Sequence, residues 1–223
     1  MEFRHEWKHE ISHHDLIILR QRLRAVLQPD RHGVEGRYFI RSLYFDNAAD
    51  KALREKLDGL ALREKFRIRY YDLDPTVIHL ETKSKHNGLG SKQTAPLTVQ
   101  ETQSIVDGDW DWMAQDHRPL VQELYRKIRS QGLRPKTIVD YTREAYIFPA
   151  GNVRVTLDYD IRTGLGSTDL LDPNCPTVPA GDSPIILEVK WDRFLPSLIR
   201  DIVQLESRHT SAFSKYAICR IYD

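Results

Sequence analysis

Residues 65–71 read KFRIRYY, and Lys65, Arg67, Arg69 and Tyr71 alternate there with Phe66, Ile68 and Tyr70. A period of two belongs to a β-strand, because successive side chains point to opposite faces. A half-buried strand turns its apolar face to the core and its polar face to water. This polar face carries three cations in succession. They repel one another, so something anionic must gather them.

The same alternation recurs along the chain. In TVIHLETKSK (76–85), His79, Glu81, Lys83 and Lys85 oppose Ile78, Leu80, Thr82 and Ser84. In NVRVTLDYD (152–160), Arg154, Thr156, Asp158 and Asp160 oppose Val153, Val155, Leu157 and Tyr159. Glu188 and Lys190 share a face opposite Leu187, Val189 and Trp191. Arg4, Glu6 and Lys8 share one opposite Phe3 and Trp7, and Tyr141 shares one with Arg143. A sheet with one wet side explains any single strand of this kind. It explains less well a pattern repeated over five strands, with long cations interleaved with a few carboxylates.

The rest of the chain supplies partners for these strands. The opening EFRHEWKHE reads as a strand, and Ser12 with Asp15 forms a capping box for a helix whose Leu16, Leu19, Leu23 and Leu27 face the core. YFIRSLYFD (38–46) reads as a strand followed by a short helix that Gly59 closes. Residues 62–72 and 76–85 form a hairpin through an Asp-Pro turn. HNGLGSKQTAP (86–96) reads as a glycine-containing loop at one end of a short strand. A helix is expected over 117–131, with Pro119 near its start and Gly132 past its end. Strands follow at 137–148 and 152–161 around PAG, then a loop over 162–184, a strand over 184–192, a helix over 196–207 and a final strand, KYAICRIY (215–222). No linker, repeat or low-complexity tract divides 1–223, which is read as a single domain.

The chain has 223 residues, 40% hydrophobic and 29% charged, with a formal net charge of only +1. Charge is therefore segregated rather than in excess, which argues against a general nucleic-acid binder. Two distant cysteines, Cys175 and Cys219, suggest a reducing compartment and no disulfide framework. The charged start is no signal peptide, and LIIL at 16–19 is too short to span a bilayer. A cytoplasmic location is expected. His5, His9 and His13 are spaced by four, but a strand at this position cannot bring them together as a helical metal site.

Strands with one charged and one apolar face, and helices with one apolar face each, are both satisfied by one α+β architecture. It is an antiparallel β-barrel with a polar, basic interior and helices packed outside. Lys and Arg cannot line that interior dry and unpaired. The barrel is then a tunnel for a polyanion. Arg suits phosphate oxygens because its fork binds two at once. Carboxylates among the cations suit a hard divalent cation that bridges phosphate oxygens. No glycine-rich phosphate loop is present, so side chains would do the holding.

In chain order, FRHEWKHEI, YFIRSLYFDN, FRIRYYD, LETKSK, SKQTAPLT, VDYTREAY, VRVTLDYDIR, ILEVKWD and FSKYAICR resemble the VTC domain. This is the catalytic domain of the vacuolar transporter chaperone polyphosphate polymerases and their bacterial relatives, within the triphosphate tunnel, CYTH-like superfamily of metalloenzymes. The resemblance covers nearly the whole chain. It implies a β-tunnel that takes ATP and passes polyphosphate through basic walls. It places phosphate-binding cations at Lys8, Arg67, Arg69, Lys83, Lys92, Arg143, Arg154, Lys190 and Lys215. The metal-binding glutamate falls on Glu188, for Mn2+ or Mg2+, with Glu81 on the face of Lys83 to assist. Hydrolases of the superfamily carry Glu-x-Glu-x-Lys on the first strand. Here the row is Arg4, Glu6, Lys8, which favours holding a phosphate chain over activating water.

The resemblance thus implies transfer of the γ-phosphoryl group of ATP to a polyphosphate end, releasing ADP. Arg67, Arg69, Lys83 and Lys190 would hold the nucleotide's phosphates, Lys8 and Lys215 the transferred or acceptor phosphate. Tyr44 or Phe45 is the candidate to face the adenine. Asp46, Asp158 and Asp160 are expected as counter-charges rather than metal ligands. Two other readings of the same fold are a metal-dependent tri- or polyphosphatase and a non-catalytic polyphosphate-binding module. The yeast complexes of the family also have an SPX domain and membrane helices. Transport or inositol-phosphate regulation would here need separate proteins, a membrane protein among them.

Overall fold

The structure is a computed structural model that describes residues 5–86, 89–205 and 213–222. Phe3 and Arg4 of the first expected strand, Gly88 of the expected loop and positions 206–207 of the last expected helix lie outside the described residues. The strands are β1 (His5–Ile11), β2 (Gln28–Pro29), β3 (Arg37–Asp46), β4 (Leu62–Tyr71), β5 (Asp74–His86), β6 (Leu89–Leu97), β7 (Arg134–Phe148), β8 (Val153–Thr163), β9 (Val178–Pro179) and β10 (Ile185–Trp191). The helices are α1 (His13–Val26), α2 (Lys51–Leu57), α3 (Val99–Asp107), α4 (Pro119–Gln131), α5 (Ser197–Val203) and α6 (Lys215–Cys219). The strand order is β1-β10-β8-β7-β3-β4-β5-β6, with β2 on β7 and β9 on β8. Among the described residues, no helix is long and apolar enough to cross a membrane.

The chain packs as two compact units. The first comprises Met1–Phe39, Tyr141–Ile161 and Pro179–Phe213, the second Ile40–Asp140, Arg162–Val178 and Ser214–Asp223. In the first unit, α1 begins at the expected capping box. Ser12 Oγ accepts from the Asp15 amide, and Asp15 Oδ2 accepts from the Ser12 amide at 2.9 Å. Leu16, Leu19, Leu23 and Leu27 then pack with Val153, Val155 and Leu157 of β8 and with Ile185, Leu187 and Val189 of β10. Ile199 and Val203 of α5 join them. In the second unit, Phe66, Ile68 and Tyr70 of β4 meet Ile78 and Leu80 of β5, and Ile105 of α3 and Leu120, Leu124 and Ile128 of α4 pack against them. Helices thus cover apolar strand residues within each unit, giving an α+β fold on antiparallel strands.

Three local expectations change. The stretch KYAICRIY is not a strand. It is α6 followed by a 3-10 turn over Arg220–Tyr222. Its alternation is compatible with period two, but Ser214 Oγ accepts from the Ala217 amide and caps a helix whose buried residues, Tyr216 and Cys219, stand three apart. The segment expected as a loop after residue 86 is β6, paired with β5 from His86↔Leu89 to Ile78↔Leu97. Its polar residues hide the alternation that Ala95 and Leu97 supply. The β4–β5 turn is not at Asp-Pro but at Asp72 and Leu73, both with positive φ (51° and 55°), closed by the pair Tyr71↔Asp74. Two successive positive φ values are what a two-residue hairpin turn with the strands' own twist requires. Helix α3, with its Thr98–Glu101 capping box, was not anticipated.

Candidate functional site

The charged faces fall into two groups, one in each unit. In the first unit β10 lies between β1 and β8. Its register sets Lys8, Glu188 and Thr156 side by side, and Glu6, Lys190 and Arg154 in the next row. Opposite charges therefore alternate across the strands. Lys190 Nζ stands 2.5 Å from Glu188 Oε1 and 3.3 Å from Glu6 Oε1. Lys8 Nζ stands 3.2 Å from Glu6 Oε2 and 4.0 Å from Glu188 Oε1. From β7, Arg143 donates to both oxygens of Asp158 at 2.6 and 2.7 Å, and its Nη2 lies 4.0 Å from Glu188 Oε2. Burial pushes the Glu188 carboxyl up, but Lys190, Lys8, Glu6 and Arg143 outweigh it and hold it well below the usual carboxylate range. Burial lowers Lys8 and its two glutamate neighbours raise it, with a net shift upward.

Arg154 extends this group. Its Nη2 lies 2.6 Å from Asp30 Oδ2 and donates to the Tyr38 hydroxyl at 2.8 Å. Asp30 is itself buried and lies 2.7 Å from His32 Nδ1. Each of the described cations Lys8, Arg143, Arg154 and Lys190 therefore has a carboxylate beside it. Asp158 is the counter-charge that the sequence suggested. Asp30 and Tyr38 were missed, because nothing local ties them to Arg154, 116 positions beyond Tyr38.

The second unit is different. Along β4, β5 and β6 the register places Lys65, Lys83 and Lys92 directly opposite one another. Arg63 and Lys85 form the next row on one side, Arg67 and Glu81 the next on the other, with Arg69 beyond. Glu81 is the carboxylate on this face of the three strands. It accepts from Arg67 Nε at 2.7 Å and Nη2 at 2.5 Å, and its other oxygen lies 2.6 Å from Lys92 Nζ. These cations hold Glu81 far below the usual carboxylate range against the opposing effect of its burial. Within these three strands the register sets one carboxylate on a face of seven cations. Three lysines in one cross-strand row are destabilising by themselves.

β3 contributes the polar floor of this face. Its register sets Ser42 opposite Arg69 and Tyr44 opposite Arg67. Arg69 Nε donates to Ser42 Oγ at 3.0 Å, and Arg67 Nη1 donates to the Tyr44 hydroxyl at 2.9 Å. The Tyr44 ring stacks on Tyr216, with centroids 5.0 Å apart and planes at 25°. Tyr44 is thus held among cations, while its neighbour Phe45 points the other way into the core. Lys215 opens α6 one residue before Tyr216. Tyr216 donates to Asp46 Oδ2 at 2.7 Å, and Asp46 also accepts from the amides of Ala52 and Leu53. Asp46 therefore acts as a cap for α2.

Tyr44 supplies a pH signature. Burial raises its phenol, but Arg67, Lys65 and Arg69 outweigh burial and bring it down from 10.0 to about 7. The folded phenol releases its proton below the unfolded one. Stability from this group is therefore expected to grow as pH rises from about 7 toward 10 and to be absent below about 7. Tyr44→Phe should remove that rise, measured as the difference in unfolding free energy between the two proteins across the range. Parallel curves would show that Tyr44 stays protonated.

The structure thus gathers Lys8, Arg143, Arg154, Lys190 and Glu188 on the first unit's face, and Arg67, Arg69, Lys83, Lys92 and Glu81 on the second's. Among the described residues, no cluster of three or more His, Cys, Asp and Glu is placed to hold a metal ion. Glu188 and Glu6, in adjacent rows and both against Lys190 Nζ, still offer hard oxygen donors, which fits a divalent ion shared with phosphate oxygens, as Mg2+ is usually held.

Comparison with known proteins bears on the fold and the family. The chain is similar to a putative adenylate cyclase from Bacillus halodurans, with 14% identity over 85% of this chain and 80% of that one and a TM-score of 0.51. It also aligns with a protein from Pyrococcus horikoshii OT3 (12% identity, 91% and 85% covered, TM-score 0.44). A conserved hypothetical protein from Pyrococcus furiosus aligns as well (12%, 90% and 85%, 0.41). A search of curated proteins gives no match. The model of the VTC domain matches residues 3–221. That match takes in both charged faces and nearly the whole sequence, and on it the chain belongs to the VTC-domain family.

Proposed function

We propose that this chain is an ATP-dependent polyphosphate polymerase, which transfers the γ-phosphoryl group of ATP to a growing polyphosphate chain. The observation that carries the reading is the cross-strand row Lys65, Lys83, Lys92, with Arg67, Arg69 and Glu81 on the same face of β4–β6. A fold keeps lysine opposite lysine at a cost in stability, which a bound polyanion offsets. Phosphoryl transfer needs alignment and charge neutralisation more than covalent chemistry from the protein. An acceptor phosphate is already anionic, so no strong general base is required.

In this reading Arg67, Arg69 and Lys83 hold phosphates on the second unit's face, Lys92 extends that hold, and Lys215 opens α6 beside Tyr216. Lys8, Arg143, Arg154 and Lys190 hold phosphates on the first unit's face. Glu188, beside Glu6, would hold Mn2+ or Mg2+, which when bound would offset charge on the phosphate oxygens. Glu81 is left as the counter-ion that keeps Arg67 and Lys92 in place, and its help to a metal is secondary.

The test is to incubate the purified chain with ATP and Mn2+, stain a polyacrylamide gel for polyphosphate, and assay ADP and orthophosphate. A ladder with stoichiometric ADP is the expected outcome. Orthophosphate without a ladder would replace the reading with a tri- or polyphosphatase. No turnover with retained polyphosphate binding would leave a binding module.

A further inference from the structure

Thr156 lies on β8 between Arg154 and Asp158 on the charged face, directly opposite Glu188. It is 4% exposed, and its Oγ1 is buried without a hydrogen-bond partner among the described residues. Buried hydroxyls normally find one, because an unsatisfied donor or acceptor costs stability. The other buried threonines show what is usual here. Thr102 donates to the Thr98 carbonyl at 2.8 Å, and Thr163 donates to the Cys219 carbonyl at 3.2 Å. Thr82 also lacks a partner, but its strand neighbours on that face are Leu80 and Ser84, and it faces the core. Thr156 instead stands among charges that are already engaged. Arg143 takes Asp158, Asp30 and Tyr38 take Arg154, and Lys190 takes Glu188.

An isosteric valine would suit a buried strand position better than a hydroxyl with nothing to bind. The hydroxyl is small, sits in the row of Lys8 and Glu188, and can donate to an anionic oxygen held by the surrounding cations. We infer that Thr156 is a phosphate-binding residue of this face, its hydroxyl donating to an oxygen of a bound phosphate chain beside Glu188. The inference rests on the polyphosphate reading and adds a contact to it.

The test uses the full chain, inorganic tripolyphosphate as probe, isothermal titration calorimetry for affinity and thermal melting of the ligand-free protein. Thr156→Val is expected to melt at the wild-type temperature or above it, because an unsatisfied polar group has been removed. Its tripolyphosphate affinity is expected to fall about tenfold, the scale of one hydrogen bond to a charged oxygen. Thr156→Ser, which keeps the hydroxyl, should bind close to wild type. Wild-type protein that binds the probe while Thr156→Val binds it equally well would overturn this contact alone. A lower melting temperature in ligand-free Thr156→Val would make the hydroxyl structural and would also overturn it. Wild-type protein that does not bind the probe would remove both the contact and the polyphosphate reading.

Discussion

Glu188→Gln is expected to lower metal-dependent turnover by about a hundredfold or more, while tripolyphosphate binding persists or tightens. The two effects separate because Glu188 stands in two relations at once. Its carboxylate, held ionised by Lys190, Lys8 and Arg143, is the donor proposed for a divalent cation. The same carboxylate competes with phosphate for those cations. Glutamine keeps the shape, weakens the metal donor and releases the cations from a buried negative charge. Turnover should then no longer respond to added Mn2+, whereas calorimetry with tripolyphosphate should show undiminished affinity. A variant that turns over ATP at the wild-type rate would dismiss Glu188 as the metal residue. A variant that loses binding together with turnover would show that the carboxylate mainly orders Lys8 and Lys190.

Side-chain alternation made the charged faces legible before any coordinates. KFRIRYY and VRVTLDYD put their cations on the side the structure shows, because a period of two is imposed by backbone geometry and survives any tertiary context. The capping box at Ser12 was equally local, since both of its hydrogen bonds close within three residues. What was hidden depends on register. Nothing in the order of residues says that Lys65 faces Lys83 and Lys83 faces Lys92, or that Tyr44 rather than Phe45 meets Arg67. KYAICRIY misled because its apolar spacing fits two periods, and only Ser214 decides between them. Asp46 drew attention as a carboxylate in a cation-rich protein, yet its oxygens go to amides six and seven residues on. A cap at that distance leaves no adjacent-residue signature.

Asp140→Ala is expected to destabilise the protein by about 3–5 kcal/mol, the largest stability loss foreseen from a single substitution here. Arg41 and Asp140 are 3% and 1% exposed and meet through two parallel contacts, Nε to Oδ1 at 3.0 Å and Nη2 to Oδ2 at 2.9 Å. Arg41 Nη1 also donates to the Asp172 carbonyl at 2.6 Å, and Tyr70 donates to the Leu170 carbonyl at 2.8 Å, so the pair helps fasten the segment after β8. Burial lowers the Arg41 pKa, but Asp140 outweighs it and the net shift is upward. Without Asp140 the guanidinium keeps its charge and loses its counter-ion in a place water does not reach. The cost is that stranded cation rather than the net worth of the pair. Replacing both partners with apolar residues, Arg41→Met with Asp140→Leu, should therefore recover most of the loss, and urea unfolding of the four proteins of the cycle measures it. If Asp140→Ala costs less than about 1 kcal/mol, water or another acceptor has reached Arg41 and the pair is not buried in solution. If the double variant stays as unstable as the single one, the loss comes from the freed Asp172 segment instead, and limited proteolysis should cut first within residues 164–177.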